Sequence, residues 1–292
     1  MDKGITELRE ALTEKILAKQ DEAFRWGYDG EEYQVHPEYL YYTPKYKSTL
    51  WTLLLLADLK APRGLPQVEK AMQLVTEQFY DPEHGVFRIP GMTHFPIPCL
   101  NGNMIYLHSY FGTSHMAPIN DIIAFFDQYQ RFDDGGYKTP SDWPYLRNKS
   151  CYGNHTCYWG VVKLLKGISF IPKAERTGAA QRLIENCIEF VLLHEVCFSS
   201  HRRDELLHHD IDKLAFPNSW KSDFLEILWL LAREEVRDKR TSRALEMLRA
   251  KQKDGCWALE KTFKVIISTG PKNRANAFIT ERSKQVLDFY RW

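Results

Sequence analysis

Cys99 and the segment CYGNHTC, with Cys151, His155 and Cys157, offer the most concentrated metal-donor chemistry in this chain. Thiolate sulfur and imidazole nitrogen suit zinc, and ligands from two neighbouring loops can complete a tetrahedral site. The spacing is not that of a zinc finger, and no second compact cysteine pair stands elsewhere. His201, His208 and His209 are the other residues that can complete the set. Two further readings stay open for these cysteines. One is a reactive or substrate-lining thiol. The other is packing, because Cys157 opens an apolar run that Asn154 or Thr156 can cap. Cys187, on an apolar helical face, and Cys256, inside a turn, read as packing.

A second cluster lies in SSHRRDELLHHDIDKLAFPNSW, which gathers His201, His208, His209, Asp210 and Asp212 ahead of an apolar helix. Histidine titrates near neutrality and a partner carboxylate sets its tautomer, so such a group can supply acid and base. It can equally be a polar loop. The expectation is that Asp210 or Asp212 faces a pocket, partly desolvated and with a raised pKa, as a proton donor beside His208. Asp223 and Glu281, at neighbouring helix starts, are the next candidates.

These residues need helices to position them. Five apolar runs are read as buried helices: Ser48 to Leu59, Asn103 to Phe111, Thr156 to Phe170, Ser222 to Ala232 and Ala277 to Tyr290. They are apolar nearly all round, which marks burial on both sides, yet none reaches the eighteen or so uninterrupted apolar residues of a membrane span. Between them stand amphipathic runs that close on a glutamine, a glycine and an aromatic: Gln78, Gly85 and Phe87; Gln130, Gly136 and Tyr137; Gln252, Gly255 and Trp257. Glycine lets the backbone leave the helix, and the aromatic can pack back over the turn. The first two glutamines are 52 residues apart and the last two 122, about two periods with one degenerate copy between. Such periods imply a helix pair per repeat. The expected fold is all-α, an α/α toroid of about five to six helical hairpins forming one domain over residues 1–292. Residues 1–36 are read as an amphipathic helix and lead-in.

The glutamine, glycine, aromatic repeat in QYQRFDDGGY and KQKDGCW, and more loosely in EQFYDPEHGVF, resembles the QW-type repeat of the terpenoid cyclase and protein prenyltransferase superfamily. The resemblance runs from about Pro37 to the C-terminus. PCLNGN, CYGNHTCYWGVVKLLKGISFIP and ANAFITERSKQVLDFY are similar to segments of small bacterial squalene-cyclase-like proteins. It implies an α/α toroid with a central cavity for an apolar or isoprenoid-type molecule. The catalytic signatures are absent: Asp210, Ile211, Asp212 and Lys213 lack the last aspartate of DxDD, Asp133 and Asp134 precede two glycines rather than completing DDxxD, and no DxDxCYC occurs. Fold alone does not specify activity.

In a ring of hairpins the inner helices run one way, so their starts and positive dipole ends gather at one mouth. Cys99, Cys151, His155 and Cys157 are expected together there. Tyr46, Trp51, Asn103, Tyr106, Trp159 and Trp220 are expected to line the cavity, since aromatic faces pack apolar groups and stabilise cations. Lys plus Arg at 39 against Asp plus Glu at 38 leaves no global field for nucleic acid or an anionic membrane. The N-terminus lacks a signal-peptide core, so a cytoplasmic protein with reduced thiols is expected. The functional expectation is a terpene-cyclase-like enzyme, possible zinc included. The alternatives are a non-catalytic repeat protein that binds a peptide or partner and a metal-dependent hydrolase on the same scaffold.

Overall fold

The computed structural model describes residues 3–28, 40–43, 45–90 and 96–291. Pro37, where the resemblance begins, lies outside them. The described chain is mostly helical. Five outer helices, α1 (Lys3–Leu17), α3 (Pro66–Phe79), α5 (Ile119–Tyr129), α8 (Gly178–Leu193) and α10 (Ser242–Ala250), alternate with five inner ones. The inner helices are α2 (Thr49–Asp58), α4 (Pro98–Phe111), α7 (Tyr158–Ser169), α9 (Phe224–Arg233) and α11 (Ala277–Phe289), and a single turn, α6 (Lys149–Tyr152), precedes α7. No described helix is long and apolar enough to cross a membrane.

Sequence pattern separates the two sets. Outer helices bury one stripe: Val68, Ala71, Met72, Val75 and Phe79 on α3, and Ile119, Ile122, Ile123 and Phe126 on α5. This is the i, i+3, i+4 spacing of a helix with one face on a core. The inner helices α2, α4, α7 and α9 are buried nearly all round, whereas α11 buries one stripe, Phe278, Ile279, Ser283 and Val286. Every residue of α2 is buried, as is every residue of α7 except Trp159. Each inner helix packs on the next, α2 on α4, α4 on α7, α7 on α9 and α9 on α11. One apolar cluster runs from Ile5 to Tyr290.

The α4–α7 contact is the closest, and glycine makes it so. A Cβ on Gly102 would fall inside the Lys163 main chain, and one on Gly167 would lie 2.5 Å from the Gly102 carbonyl oxygen. The helices meet backbone to backbone there.

The closing motifs are turns, as their glycines require. Gly85, Gly136 and Gly255 have φ of +66°, +85° and +75°. In the first motif a small antiparallel ribbon forms, β1 (Tyr80–Asp81) against β2 (Val86–Phe87), and Phe87 is fully buried. In the third, Trp257 packs back and its indole N–H donates to the Leu248 carbonyl oxygen at 2.7 Å. In the second, Tyr137 stays exposed beneath the Arg131 guanidinium, and Phe132 takes the inward position against Phe190.

One hydrogen bond recurs at the start of every inner helix. The segment arriving from the outer helix donates a backbone N–H to a side chain of the inner helix or just before it: Trp26 to Thr49, Phe87 to Asn101, Asp133 to Thr156, Ala215 to Asp223 and Trp257 to Thr280. The first copy places α1, which lies within the residues 1–36 read as an amphipathic helix and lead-in, in the same pattern. Trp26 donates its indole N–H to Ile16 as Trp257 does to Leu248, so α1 is the outer member of the first hairpin.

Candidate functional site

The charges buried on α2, α7 and α9 meet. Lys163 and Lys166, one helical turn apart on α7, face Glu226 of α9 at 2.8 and 2.9 Å, and Lys166 also reaches Asp58 at the end of α2 at 2.8 Å. All four side chains are almost completely buried. Tyr106 of α4 donates its hydroxyl to Asp58 at 3.0 Å, and Lys163 donates to the Asn218 carbonyl oxygen. Burial alone would raise the Glu226 carboxyl, but Lys163 and Lys166 hold it well below the usual range. Burial likewise works against the Lys166 ammonium, yet its two carboxylates raise it. Lys163, touching only one, is pulled down by burial.

This network backs a cavity of about 330 Å³. Asp58 and Tyr106 line it with Tyr110, Phe170, Trp229, Phe278, Arg9, Lys60, Arg233, Glu281 and Arg282. Arg9 and Glu281 form a two-pronged pair that ties α1 to α11, and Lys60 adds a contact at 3.5 Å. Burial works to raise the Glu281 carboxyl, and Arg9 with Lys60 more than reverses it. Arg233 lies 4.0 Å above the Phe170 ring and Arg282 4.7 Å above that of Trp229. Their polar contacts are to uncharged oxygens, Ser169 O and Asn218 Oδ1. Among the described residues neither has a carboxylate within ion-pair distance. The second oxygen of Asp58 is buried without a hydrogen-bond partner. The cavity therefore presents two guanidinium groups outside ion-pair contact, one unsatisfied acceptor and a wall of aromatic rings.

This site lies toward the ends of α2, α4, α7 and α9 and takes Phe278, Glu281 and Arg282 from the first turns of α11, so of the two acids expected at helix starts Glu281 lines it. At the starts of α2, α4, α7 and α9 the space is filled. Trp51 is buried against Tyr42, Tyr46 and Trp220 and donates to Tyr42 O, and Lys45 covers Trp220. Trp159 packs on His208 under Lys221, and Asn103 donates to Ser219 O. Of the six residues expected to line the cavity, Tyr106 lines this one.

Asp223 is the N-cap of α9, accepting from Ala215 N and Glu226 N, and burial raises its carboxyl to about 6. The expectation of a raised Asp210 meets the opposite environment: the Lys261 ammonium at 2.7 Å lowers it. Asp212 pairs with Lys213 at 2.9 Å. Lys221 lies 3.3 Å from His208 Nε2, and burial with that cation lowers the imidazole.

Cys99, Cys151 and Cys157 do gather, close enough for each charge to act on the next, but in apolar surroundings that push Cys151 up to about 12 and raise the other two. Protonated thiols of this kind are poor nucleophiles. His155 stands apart from them, against Asp134 and beside His201. Cys187 is fully buried, as expected.

Sequence reasoning passed over Asp58, Lys163, Lys166, Glu226 and Arg282, and it read Arg233 as part of a solvated basic cluster with Arg237, Lys239, Arg240 and Arg243. The signal was present for the lysines and the glutamate: a charge in the middle of an otherwise apolar inner helix, as Lys163 and Lys166 in YWGVVKLLKGIS and Glu226 in FLEILWLLAR, has no solvent to face and must meet another charge. Compared with known proteins, the chain has no significant match to any family model, curated protein or solved structure.

Proposed function

We propose that the chain is a five-hairpin α/α toroid of terpene-cyclase-like type whose cavity binds, and acts on, a compact isoprenoid-type molecule bearing an anionic group. The observation that carries this reading is the pair Arg233 and Arg282, stacked on aromatic rings and without carboxylate partners, in the same cavity as the unsatisfied Asp58 oxygen. An anionic head fits the two guanidinium groups, whose planar donors suit phosphate and carboxylate. An apolar body fits Tyr110, Trp229, Phe170 and Phe278, and a hydroxyl or amine on it can donate to Asp58 Oδ2. At about 330 Å³ the cavity is at the small end for ligand sites, roughly 300–1,000 Å³, which favours a short chain over a long polyene.

In this reading Arg233 and Arg282 hold the head and stabilise charge that develops on it as a bond to it breaks. Asp58, fixed by Lys166 and Tyr106, is the proton acceptor, and the aromatic wall shields a cationic centre from water. The acid sought among Asp210 and Asp212 is then not needed.

The test is thermal-shift and calorimetric titration of the whole protein with five- and ten-carbon prenyl diphosphates, inorganic diphosphate and a neutral prenyl alcohol. Binding of the diphosphates that drops at least tenfold in Arg233→Gln and Arg282→Gln supports the reading, and turnover lost in Asp58→Asn supports the catalytic part. Equal affinity of both arginine variants for the diphosphates, or a preference for the neutral alcohol, removes it.

A further inference from the structure

We propose that Asp134, His155 and His201 form a binding site for one divalent ion of the zinc class, with its open coordination position facing a surface cleft. His155 Nδ1 lies 3.2 Å from Asp134 Oδ1, and His201 Nε2 lies 3.5 Å from Asp134 Oδ2. All three donor atoms fall within 4.8 Å of one another. A tetrahedral ion with bonds of about 2.0–2.1 Å sets its ligand atoms roughly 3.3–3.4 Å apart; each histidine already stands near that distance from one oxygen of the carboxylate, His155 from Oδ1 and His201 from Oδ2, and a small rotation of the rings brings three donors onto one ion. Two imidazoles and one carboxylate favour zinc and its neighbours over calcium or magnesium, which take oxygen donors.

The main chain places the donors. Asp134 and His155 face each other across an antiparallel bridge, flanked by Gly135 N to Asn154 O at 2.7 Å and Thr156 N to Asp133 O at 2.8 Å. His201 sits at the tip of a loop closed by Ser199 N to Glu205 O and Leu207 N to Cys197 O, both 2.9 Å. Its Nε2 donates to the Asp134 carbonyl oxygen at 2.7 Å, a bond that an ion replaces.

Three further observations point to a ligand. Gly135, at φ +95°, keeps the space between the rings: a Cβ there would lie 3.3 Å from His201 Nε2 and 3.4 Å from His155 Cε1. Behind the carboxylate, His194 is 97 % buried, its Nε2 is 3.9 Å from Asp134 Oδ1 and its Nδ1 has no hydrogen-bond partner. It is the fourth group around Asp134, beyond hydrogen-bond distance, while the Ser200 hydroxyl bonds the other oxygen and orients the carboxylate. In front, a cleft of about 510 Å³ bordered by Ser199, Arg202 and Leu207 leaves room for water or an anionic molecule on the ion.

The other two His and acid groups are disqualified by cations. In Asp81, Glu83 and His84, the Arg88 guanidinium bonds both Asp81 and His84. In His208, His209 and Asp210, Lys221 and Lys261 sit on the donor atoms at 3.3 and 2.7 Å. No ammonium or guanidinium is bonded to Asp134 among the described residues.

Zinc titration of the chelator-treated whole protein by calorimetry is expected to give one equivalent bound at micromolar affinity or better, with a rise in Tm. The His155→Asn/His201→Asn variant should fold as the parent does, since both side chains are about 60 % exposed, and should lose at least a hundredfold in affinity and the whole Tm response. Cobalt(II) as a probe should show no sulfur-to-metal charge-transfer band. The proposal is overturned by affinity no better than millimolar, by unchanged affinity in the double variant, or by a thiolate band that Cys99→Ser or Cys151→Ser abolishes.

Discussion

Lys166 and Asp58 stand 108 residues apart in the chain and meet at 2.8 Å in its interior, where each side chain is at most 2 % exposed. Glu226 holds the other side of the same ammonium, so three inner helices, α2, α7 and α9, are registered by one cation. Removing that cation leaves Asp58 with only the Tyr106 hydroxyl. A buried ion pair broken on one side typically costs about 3–5 kcal/mol. Lys166→Met, close in volume, is expected to lose stability in that range in urea unfolding at pH 7, and the double variant Lys166→Met/Asp58→Leu to recover part of it. A single variant within 1 kcal/mol of the parent would mean that the pair adds nothing.

The alternation of outer and inner helices was legible because its signal is hydrophobic period: an apolar stripe against an apolar surround. Four of the five hydrogen bonds that start the inner helices were not, because their side chains, Thr49, Asn101, Thr156 and Thr280, are ordinary polar residues whose role depends on a backbone N–H from elsewhere. The first copy of the repeat was overlooked although AKQ stands at both Ala18–Gln20 and Ala250–Gln252, each followed by a tryptophan. Its glycine comes after Trp26 rather than before it, which hides it from a search keyed on glycine. The cavity was sought at the starts of the inner helices on the strength of dipoles and loop chemistry. Large aromatics, Trp51 and Trp220 above all, occupy that end, and side-chain volume prevails over helix-end electrostatics there.

Gly102 tests the backbone contact between α4 and α7. A methyl group at that position meets main-chain atoms of Lys163 and Leu164, which cannot rotate away. Gly102→Ala must therefore push the helices apart and disturb the Lys163 and Lys166 contacts a turn on either side. A loss of at least about 2 kcal/mol is expected, within the range of core overpacking. Gly160→Ala is the comparison, since the nearest atoms to its Cβ are side-chain ones, Pro98 Cβ at 3.0 Å and Cys157 Cβ at 3.8 Å, and no main-chain atom is among them. The smaller loss should belong to Gly160. The reverse order in chemical denaturation would remove the close-contact argument.

His108 gives a prediction in pH. Its ring is stacked on Phe87, with Nδ1 2.9 and 3.0 Å from the Thr113 hydroxyl and carbonyl oxygens and Nε2 3.2 Å from the Thr76 hydroxyl. Burial lowers its pKa from 6.5 to about 4. A histidine held neutral in the fold contributes stability that is complete above 6.5 and is lost as pH falls toward 4, because the unfolded chain takes up the proton first. At 1.36 kcal/mol per unit the loss by pH 4 is about 3 kcal/mol. Asp223 acts in the opposite sense over the same interval. Its carboxyl, raised to about 6, favours the fold below the unfolded value of 3.8 and loses that contribution as pH rises through 6. The parent curve thus hides both, and the difference between parent and variant isolates one. His108→Gln, which keeps an amide donor toward Thr113, should be less stable than the parent at pH 7, and the gap should shrink by about 3 kcal/mol on going to pH 4. A gap that stays constant across that range would show that His108 binds its proton equally well in the folded and unfolded chain.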